Sequence, residues 1–416
     1  MAVWSEPTLT DALMNRRIDS EFFRPSHLYA EQQTCKCNIE EFGRLGRFIP
    51  GPFGSAFHVK NYDYKSSYRY LRGRDIKPFF ILDDDNRYIP KEDFKRLQDY
   101  AIQPNDLMIS VVGTLGNVAV CTPHETPAIF SCKSTLFRSQ GIDPYYLLAF
   151  LNCNYGQLCL LRRQRGAVQT GLNMEDIKTI SIPRFGSEVE SEIASSIYLA
   201  HNTLRESKEK YTQAQSLLES ELGLDKLKFK KLVGYTARFS EIEQARRADA
   251  EFFHTKYESF LSSVKDYHGG WSPLKLVTNR IMPNFNGKEE SNSYDYIEIG
   301  DINISDGDYI SNRLLAKQLP ANAKILLGGG EILISQVRPT RGAIAIIDDI
   351  LSHSTACSGA FYVCTVKNPN QREAIWLYLR IIKSVFEKYC GGTSYPTIDS
   401  NHIANLPVPD FGKKLS

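Results

Sequence analysis

The sequence lacks several features that would place it in a common functional class. No apolar run approaches the roughly 20 residues of a membrane helix, and residues 1–6 lack the basic and apolar regions of a secretory signal peptide. The nine cysteines are odd in number, and they contain no Cys-x-x-Cys pair that could be matched to a second pair at zinc spacing. The sequence therefore predicts a cytoplasmic protein with reduced thiols and no membrane segment.

Catalytic motifs are missing as well. There is no Gly-x-x-x-x-Gly-Lys-Ser/Thr phosphate loop. The Asn/Asp-Pro-Pro-Tyr/Phe motif of an amino-methyltransferase is absent, since Asn368-Pro369-Asn370 lacks the second proline and the aromatic ring. No nuclease pattern of paired carboxylates with a following lysine comes after Pro409-Asp410, and the eight histidines are not grouped at metal spacing. We therefore expect no catalytic residue, no cofactor and no metal ligand.

The sequence also lacks a large excess of positive or negative charge. The net charge is +2 over 416 residues, which argues against a general coating of nucleic acid but allows a basic groove on a balanced molecule. Hydrophobic residues make up 42% and charged residues 24%, as in ordinary globular proteins. The length is sufficient for two domains, each with its own core.

The sequence does contain a long-range repeat. Arg-Arg-Ile-Asp-Ser-Glu-Phe-Phe, which begins at Arg16, returns as Arg-Arg-Ala-Asp-Ala-Glu-Phe-Phe from Arg246, 230 residues later. Three more anchors recur in the same order about 226 residues apart: residues 68–76 as 294–302, 106–116 as 331–342, and 177–185 as 403–411. A duplicated module with divergent loops favours a protein that reads two halves of one target.

The pattern within each repeat predicts an α+β fold. Short β-branched runs bounded by Gly, Pro and Asn predict strands at 106–111, 117–121, 128–131, 331–335 and 343–347. Helical periodicity predicts one helix at 144–161 in the first repeat and one at 371–389 in the second. The predicted segments are an N-terminal segment at 1–19, a first recognition domain at 20–186, a long helix at 187–222, a linker at 223–249 and a second recognition domain at 250–416.

The segment between the repeats predicts one long helix of the coiled-coil type. Ser187 and Glu190 form a capping-box pattern at its start, and about 34 residues without Gly or Pro would span roughly 50 Å. Apolar residues recur at heptad spacing on one seam, at Ile197, Leu204, Tyr211 and Leu218. Such a seam calls for a partner helix.

Loops at equivalent positions in the repeats predict a nucleic-acid surface. Residues 113–117 correspond to 336–342, and 162–173 correspond to 390–397, with different polar chemistry in each pair. Glycines allow close backbone approach, while Ser, Thr, Gln and Arg bind phosphates and base edges. A solvated loop, a plain hairpin turn at 51–57 or a salt-bridged strand at 68–74 remain alternatives. The candidate DNA-binding residues are Ser55, Arg72, Arg74, Thr114, Arg162, Arg163, Arg165, Gln169, Thr170, Gln336, Arg338, Thr340, Arg341, Thr393, Ser394 and Tyr395.

This ordered set resembles the specificity (S) subunit of Type I restriction-modification enzymes. The resemblance rests on Gly51-Pro52-Phe53-Gly54-Ser55, the paired Asp75-Ile76 and Asp301-Ile302, the run 106–116, Ile180-Ser181-Ile182-Pro183 and the long helix. It covers nearly the whole chain, and its specificity lies in the order of motifs that are weak individually.

The resemblance implies two target-recognition domains that read the two halves of a bipartite double-stranded DNA sequence, with the long helix setting the spacer between them. It implies a non-catalytic subunit that docks two methyltransferase (modification) subunits and, through them, restriction subunits that translocate and cut DNA. In the family a second helix follows the second domain and pairs with the first. Here the sequence ends at Ser416, five residues past Phe411, so we expect a second chain to pack on the 187–222 helix or a shortened product.

Two other classes remain open. The chain could be the recognition part of a stand-alone methyltransferase or of a Type II-like system, although neither repeat carries catalytic motifs. It could also be a protein-binding adaptor that does not bind DNA, which would need no basic loops. Binding to duplex DNA that weakens steeply as the salt concentration rises would separate a DNA-specificity subunit from such an adaptor.

Overall fold

The computed structural model describes residues 4–52, 54–166, 170–227, 234, 236–285, 292–391 and 395–413. The chain divides into two compact units, Met1–Leu204 and Arg205–Ser416. The division falls inside the long helix, so each unit contains one repeat and one half of that helix.

The first unit alternates short strands and helices. Its helices are α1 Leu9–Asn15, α2 Pro25–Thr34, α3 Lys91–Arg96, α4 Pro144–Asn152, α5 Asn154–Arg162, α6 Met174–Lys178 and the beginning of α7 Ser187–Glu221. Its strands are β1 Asn38–Glu41, β2 Gly46–Pro50, β3 Tyr68–Leu71, β4 Tyr88–Ile89, β5 Leu107–Ser110, β6 Val118–Val120, β7 Ala128–Phe130, β8 Ser134–Ser139, β9 Gln164–Arg165, β10 Gly171–Leu172 and β11 Ser181–Arg184.

Two sheets form the centre of the first unit. One has the order β2-β8-β5-β6 and is antiparallel, and the other has the order β4-β3-β7 with β3 parallel to β7. The main core lies between the first sheet and helices α4 and α5, where Phe42, Phe137 and Leu147 are buried. β5 and β6 are buried throughout and apolar except at Ser110, because both of their faces are covered.

The second unit repeats this arrangement. Its helices are α8 Phe239–Ala245, α9 Thr255–Lys265, α10 Leu274–Val277, α11 Arg372–Ile381, α12 Phe386–Tyr389 and α13 Ser400–Ala404. Its strands are β12 Trp271–Pro273, β13 Thr278–Ile281, β14 Ser293–Ile297, β15 Asn312–Leu315, β16 Ala323–Leu327, β17 Ile332–Ser335, β18 Ile344–Ile346, β19 Thr355–Ser358, β20 Phe361–Val366 and β21 Pro407–Pro409.

The main sheets of the two units share one strand order. The order β13-β20-β17-β18 matches β2-β8-β5-β6. The order β15-β14-β19-β16 matches β4-β3-β7 with β16 as an additional edge strand, again with one parallel pair, β14 and β19. β12 pairs with β21 as β1 pairs with β11. The α+β fold and the five predicted strands are thus confirmed, and the duplication read from the sequence is a duplication of topology.

Two predicted helices are broken. In place of one helix at 144–161, α4 and α5 are separated at Cys153, which has extended backbone angles. Gly156 follows this break, and a Cβ at its position would lie 1.9 Å from the carbonyl oxygen of Phe150. In the second unit a 3₁₀ turn, Ile382–Val385, interrupts the predicted helix at 371–389.

The long helix extends from Ser187 to Glu221, as predicted. The predicted capping box is wrong, because Ser187 is the first helical residue and the Glu190 carboxylate accepts a hydrogen bond from the Phe185 N–H at 3.0 Å. Glu190 is buried and also pairs with Arg184 at 3.0 Å. That pairing lowers the pKa of Glu190 below its ordinary value.

Different parts of the long helix pack on the two units. Ala194 and the partly buried Ile193 and Ile197 pack into the core of the first unit, and Leu218 packs on that of the second. Leu204, on the same predicted seam, is 37% exposed. The predicted apolar seam therefore packs on the first unit at Ile197 and on the second unit at Tyr211 and Leu218.

Candidate nucleic-acid interface

The ends of three strands meet at one edge of the first unit. The turn after β7 joins them: the Ser131 N–H donates to the Leu71 carbonyl at 2.9 Å, and the Lys133 carbonyl accepts from the Val111 N–H at 3.0 Å. Gly51, after β2, lies against the same turn, and a Cβ there would meet the Ser131 carbonyl oxygen at 2.2 Å. Three separate candidate segments are therefore brought to one edge.

The loop after α5 joins this edge through main-chain hydrogen bonds. The Leu172 N–H donates to the Val111 carbonyl at 2.9 Å, and Val112 and Gly171 form an isolated antiparallel bridge. The two loops that the sequence singled out in the first repeat, 113–117 and 162–173, are therefore neighbours.

The second unit is joined in the same way. The Gln336 N–H donates to the Ala360 carbonyl at 2.9 Å, and the Ile398 N–H donates to the Gln336 carbonyl at 2.9 Å. Val337 and Thr397 form the matching bridge. The same backbone scaffold thus presents different side chains in each repeat.

Arg72 and Arg74 lie at the edge of the first unit, but not as the sequence predicted. The strand considered at 68–74 ends at Leu71, and a 3₁₀ turn, Gly73–Asp75, follows it. Arg72 pairs with Asp75 at 2.7 Å and with Asp85 at 3.2 Å, while Arg74, with a 68% exposed side chain, lies 3.6 Å from Asp85. The Asp75 hydrogen bond raises the pKa of Arg72. Arg74 is therefore the freer cation of the two.

Two small hydroxyl residues are exposed at this edge. Ser55 lies in a 3₁₀ turn, Gly54–Ala56, and Thr114 lies in the loop after β5. The Thr114 carbonyl accepts a hydrogen bond from the Ser110 hydroxyl, which holds the loop while the Thr114 side chain remains exposed. Both residues are available to a ligand, whereas Phe53 lies outside the described residues.

Arg162 and Arg163 are interior residues, which the sequence did not predict. Both are less than 9% exposed and both pair with Glu31. Arg162 also lies 4.0 Å above the Phe22 ring and donates to the Phe22 carbonyl at 3.0 Å. Burial lowers the pKa of Arg162 to about 10. Neither residue is placed to contact DNA, so we exclude both from the proposed interface.

The remaining candidates after α5 are only partly described. Arg165 is exposed and pairs with Asp176, and Thr170 is exposed. Gln169 lies outside the described residues. Arg165 and Thr170 therefore remain candidates on the rim of the edge.

In the second unit, the position of Arg338 is fixed by its backbone conformation and by an aromatic ring. Arg338 has a left-handed backbone (φ 48°), and its guanidinium carbon lies 4.3 Å from the centre of the Tyr395 ring. Tyr395 is 66% exposed. Thr340 and Arg341 follow in a 3₁₀ turn, with Arg341 exposed. Among the described residues neither Arg338 nor Arg341 forms an ion pair, so their charges are available to an anion.

A hydrogen-bonded group lies beside this loop. The Ser400 hydroxyl accepts from Gln336 Nε2 at 2.9 Å and from Arg280 Nη2 at 2.8 Å. Arg280 is exposed and stacks on the Tyr362 ring at 5.0 Å. Thr393 and Ser394, also candidates, lie outside the described residues.

Sequence reasoning missed two exposed cations at these edges, Arg280 and Lys133. Lys133 lies in the turn where the strand ends of the first unit meet. The signal for Lys133 was its position just after the predicted strand at 128–131, and Arg280 was hidden because no counterpart occurs in the first repeat.

Within the part of the chain that the structure describes, no group of three or more His, Cys, Asp or Glu side chains is arranged to hold a metal ion. Nor does this part of the chain contain a helix long and apolar enough to cross a bilayer.

Comparison with known proteins identifies one family. Residues 274–409 match the family model described as Type I restriction modification DNA specificity domain. No curated protein sequence matches the chain.

Solved structures with some likeness include two specificity subunits. The S subunit of a Type-I restriction-modification system from M. genitalium is 14% identical, with 89% of this chain and 83% of that chain covered and a TM-score of 0.43. The HsdS subunit from Thermoanaerobacter tengcongensis is 15% identical, with coverages of 89% and 84% and a TM-score of 0.30. Scores of this size do not assign a function.

The family match spans α10 to β21, which includes the whole edge formed by the loops at 336–342 and 395–398. The second repeat therefore contains a Type I restriction-modification DNA specificity domain, which confirms the resemblance to specificity subunits that the sequence indicated.

Proposed function

We propose that the chain is the DNA-specificity subunit of a Type I restriction-modification complex, with one recognition domain in each repeat. The observation that carries this proposal is the specificity-domain match in the second repeat, whose edge is built by the same main-chain bonds as the edge of the first. Since the two repeats share this scaffold, we extend the assignment as a DNA-specificity domain from the second repeat to the first.

Each edge would read one half of a bipartite duplex sequence. In the second domain Arg338, Arg341 and Arg280 offer guanidinium groups, which can bind a guanine edge at two points or a phosphate. In the first domain Arg74, Lys133, Ser55 and Thr114 are the corresponding exposed groups. The different side chains support the reading of two different half-sequences.

The long helix would set the spacer between the halves. It has 35 residues, so an insertion of one heptad lengthens it by roughly 10 Å, or about three base pairs. Methylation of adenine and cleavage would be carried out by partner subunits that this chain directs.

Domain exchange with methylome sequencing tests the proposal. Replacing residues 20–186 by the equivalent domain of a relative should change one half of the methylated sequence and leave the other half and the spacer unchanged. Replacing 250–416 is the matched control and should change only the other half. Simultaneous change of both halves would show that the repeats do not read independently.

Salt dependence separates this function from that of a protein-binding adaptor. Specific duplex binding should weaken steeply as salt rises, because phosphate contacts release counterions. Binding that does not involve duplex DNA would contradict the proposal.

A further inference from the structure

Arg380 lies at a junction of three segments in the second unit. It is 5% exposed, on α11. Nη1 donates to the Gly342 carbonyl at 3.3 Å and to the Ile344 carbonyl at 2.9 Å, and Nη2 donates to the Ile304 carbonyl at 3.2 Å. The guanidinium therefore holds the end of the loop that carries Arg338.

The third side of this guanidinium faces the long helix. Nε donates to the hydroxyl of Tyr211 at 2.8 Å. The guanidinium carbon lies 5.7 Å from the Tyr211 ring and 5.4 Å from the Trp376 ring. One side chain thus links the proposed recognition loop directly to the helix.

No carboxylate neutralises this charge among the described residues. Its four acceptors are three carbonyl oxygens and one phenol oxygen. A buried cation without a carboxylate is costly unless its hydrogen bonds are satisfied. The planar fork of arginine satisfies them only when the three segments are in place together, which makes the arrangement sensitive to their relative position.

In the first unit, different side chains hold the end of the loop and contact the long helix. Gln157 Nε2 donates to the Gly116 carbonyl at 2.9 Å, and Asn152 Nδ2 donates to the Val118 carbonyl at 3.0 Å. These carbonyls correspond to those of Gly342 and Ile344. The long helix of the first unit instead contacts Phe79, whose carbonyl oxygen lies 2.8 Å from Nε2 of His201 on the helix. Among the described residues, the second unit alone joins this loop and the helix through one side chain.

We propose that Arg380 and Tyr211 are positioning residues that fix the 336–342 loop relative to the long helix and thereby set the spacer tolerance of the second half-site. The inference rests on the proposed function, since it gives the helix the role of spacer. It adds that spacer precision depends on one hydrogen-bonded pair in addition to helix length.

The test uses Tyr211→Phe, which removes the hydroxyl acceptor and keeps the ring. Tyr198→Phe is the matched control, because Tyr198 lies on the same helix and contacts the Tyr145 ring edge-on at 5.2 Å. The full chain, co-expressed with methyltransferase subunits, selects duplexes from a library with randomised half-sites and spacers. Sequencing gives the half-site sequences and the spacer distribution.

We expect Tyr211→Phe to retain both half-sites while its preference for the best spacer over spacers one base pair longer or shorter falls about tenfold, or about 1.4 kcal/mol. Tyr198→Phe should match the unmodified protein. Arg380→Gln, which copies the amide of the first unit, should reproduce the loss. Equal spacer preference in Tyr211→Phe and the unmodified protein would overturn the inference, as would weaker binding that is independent of spacer.

Failure of the proposed function has a different signature. In that case the unmodified protein selects no bipartite sequence at all.

Discussion

The two repeats keep the same interior contact with different residues and use the same edge for different chemistry. In the first, the Phe22 ring lies between Arg17 at 4.5 Å and Arg162 at 4.0 Å. In the second, the Phe252 ring lies between Arg247 at 4.9 Å and Lys388 at 4.3 Å.

The cation on the second side also donates to the carbonyl of the same phenylalanine in both repeats. Arg162 does so at 3.0 Å and Lys388 at 2.7 Å. A buried cation over an aromatic ring is therefore part of the scaffold here. A cluster of positive charge in this sequence is not by itself evidence of a DNA contact.

Removing this interior cation should give the largest effect. We expect Arg162→Ala to lower the free energy of unfolding by about 3 kcal/mol, because it removes a buried cation–π contact and a charged hydrogen bond. Lys388→Ala should cost about 1–2 kcal/mol, since its partner Glu258 has a 61% exposed side chain and remains hydrated. Chemical denaturation measures both changes.

The control for that comparison is Arg165→Ala. Its pair with Asp176 has a 50% exposed arginine side chain, so the change should be below about 1 kcal/mol. Equal small losses of stability in Arg162→Ala and Arg165→Ala would show that Arg162 does not stabilise the interior of the first repeat.

Substitutions of exposed arginines at the edges should change the affinity for duplex DNA and leave the free energy of unfolding largely unchanged. We expect Arg338→Ala with Arg341→Ala to weaken specific duplex binding by about 1–3 kcal/mol for each arginine that pairs with a guanine through two hydrogen bonds. Arg72→Ala should mainly affect folding, because two carboxylates already occupy Arg72. Equilibrium binding at several salt concentrations, with denaturation in parallel, separates the two.

The pattern across sequences distinguishes base from phosphate contacts at Arg338 and Arg341. A uniform loss with a smaller salt slope would place them on phosphates. No change in binding would leave them as residues of a solvated loop.

The smallest effect should come from the aspartates of the repeated motif. Arg17 and Arg247 hold the pKa values of Asp19 and Asp249 below their ordinary value. A carboxyl group whose pKa is lower in the folded than in the unfolded protein stabilises the fold at neutral pH. This contribution is lost as the pH falls below about 4. Because both side chains are nearly half exposed, each pair should contribute only about 0.5 kcal/mol.

Asp19→Asn and Asp249→Asn test this. Each should lower stability slightly at pH 7 and reduce the acid dependence below pH 4, equally in the two repeats. A markedly larger effect in one repeat would show that the motif has acquired a separate role there.

Much of the fold was predictable because it depends on local patterns. The strands were read from β-branched runs between turn residues, and the long helix from 34 residues without Gly or Pro. The break at Cys153 was not predictable, because it depends on the approach of Gly156 to the Phe150 carbonyl. Apolar periodicity continues across it.

The site was harder to predict because burial depends on contacts that are distant in sequence. Arg162 is buried by Phe22, 140 residues away, and nothing near Arg162 in the chain indicates this. Arg338 could be named from its loop, but its stacking on Tyr395 depends on two loops that a main-chain bridge brings together.

That bridge has a consequence for how such a protein changes. The bonds from Leu172 to Val111 and from Ile398 to Gln336 use only backbone atoms. Exposed side chains of these loops that make no bond of their own can therefore be exchanged without breaking these attachments. Under the proposed function, single substitutions at such a fixed edge would change the target sequence while each domain keeps its own fold.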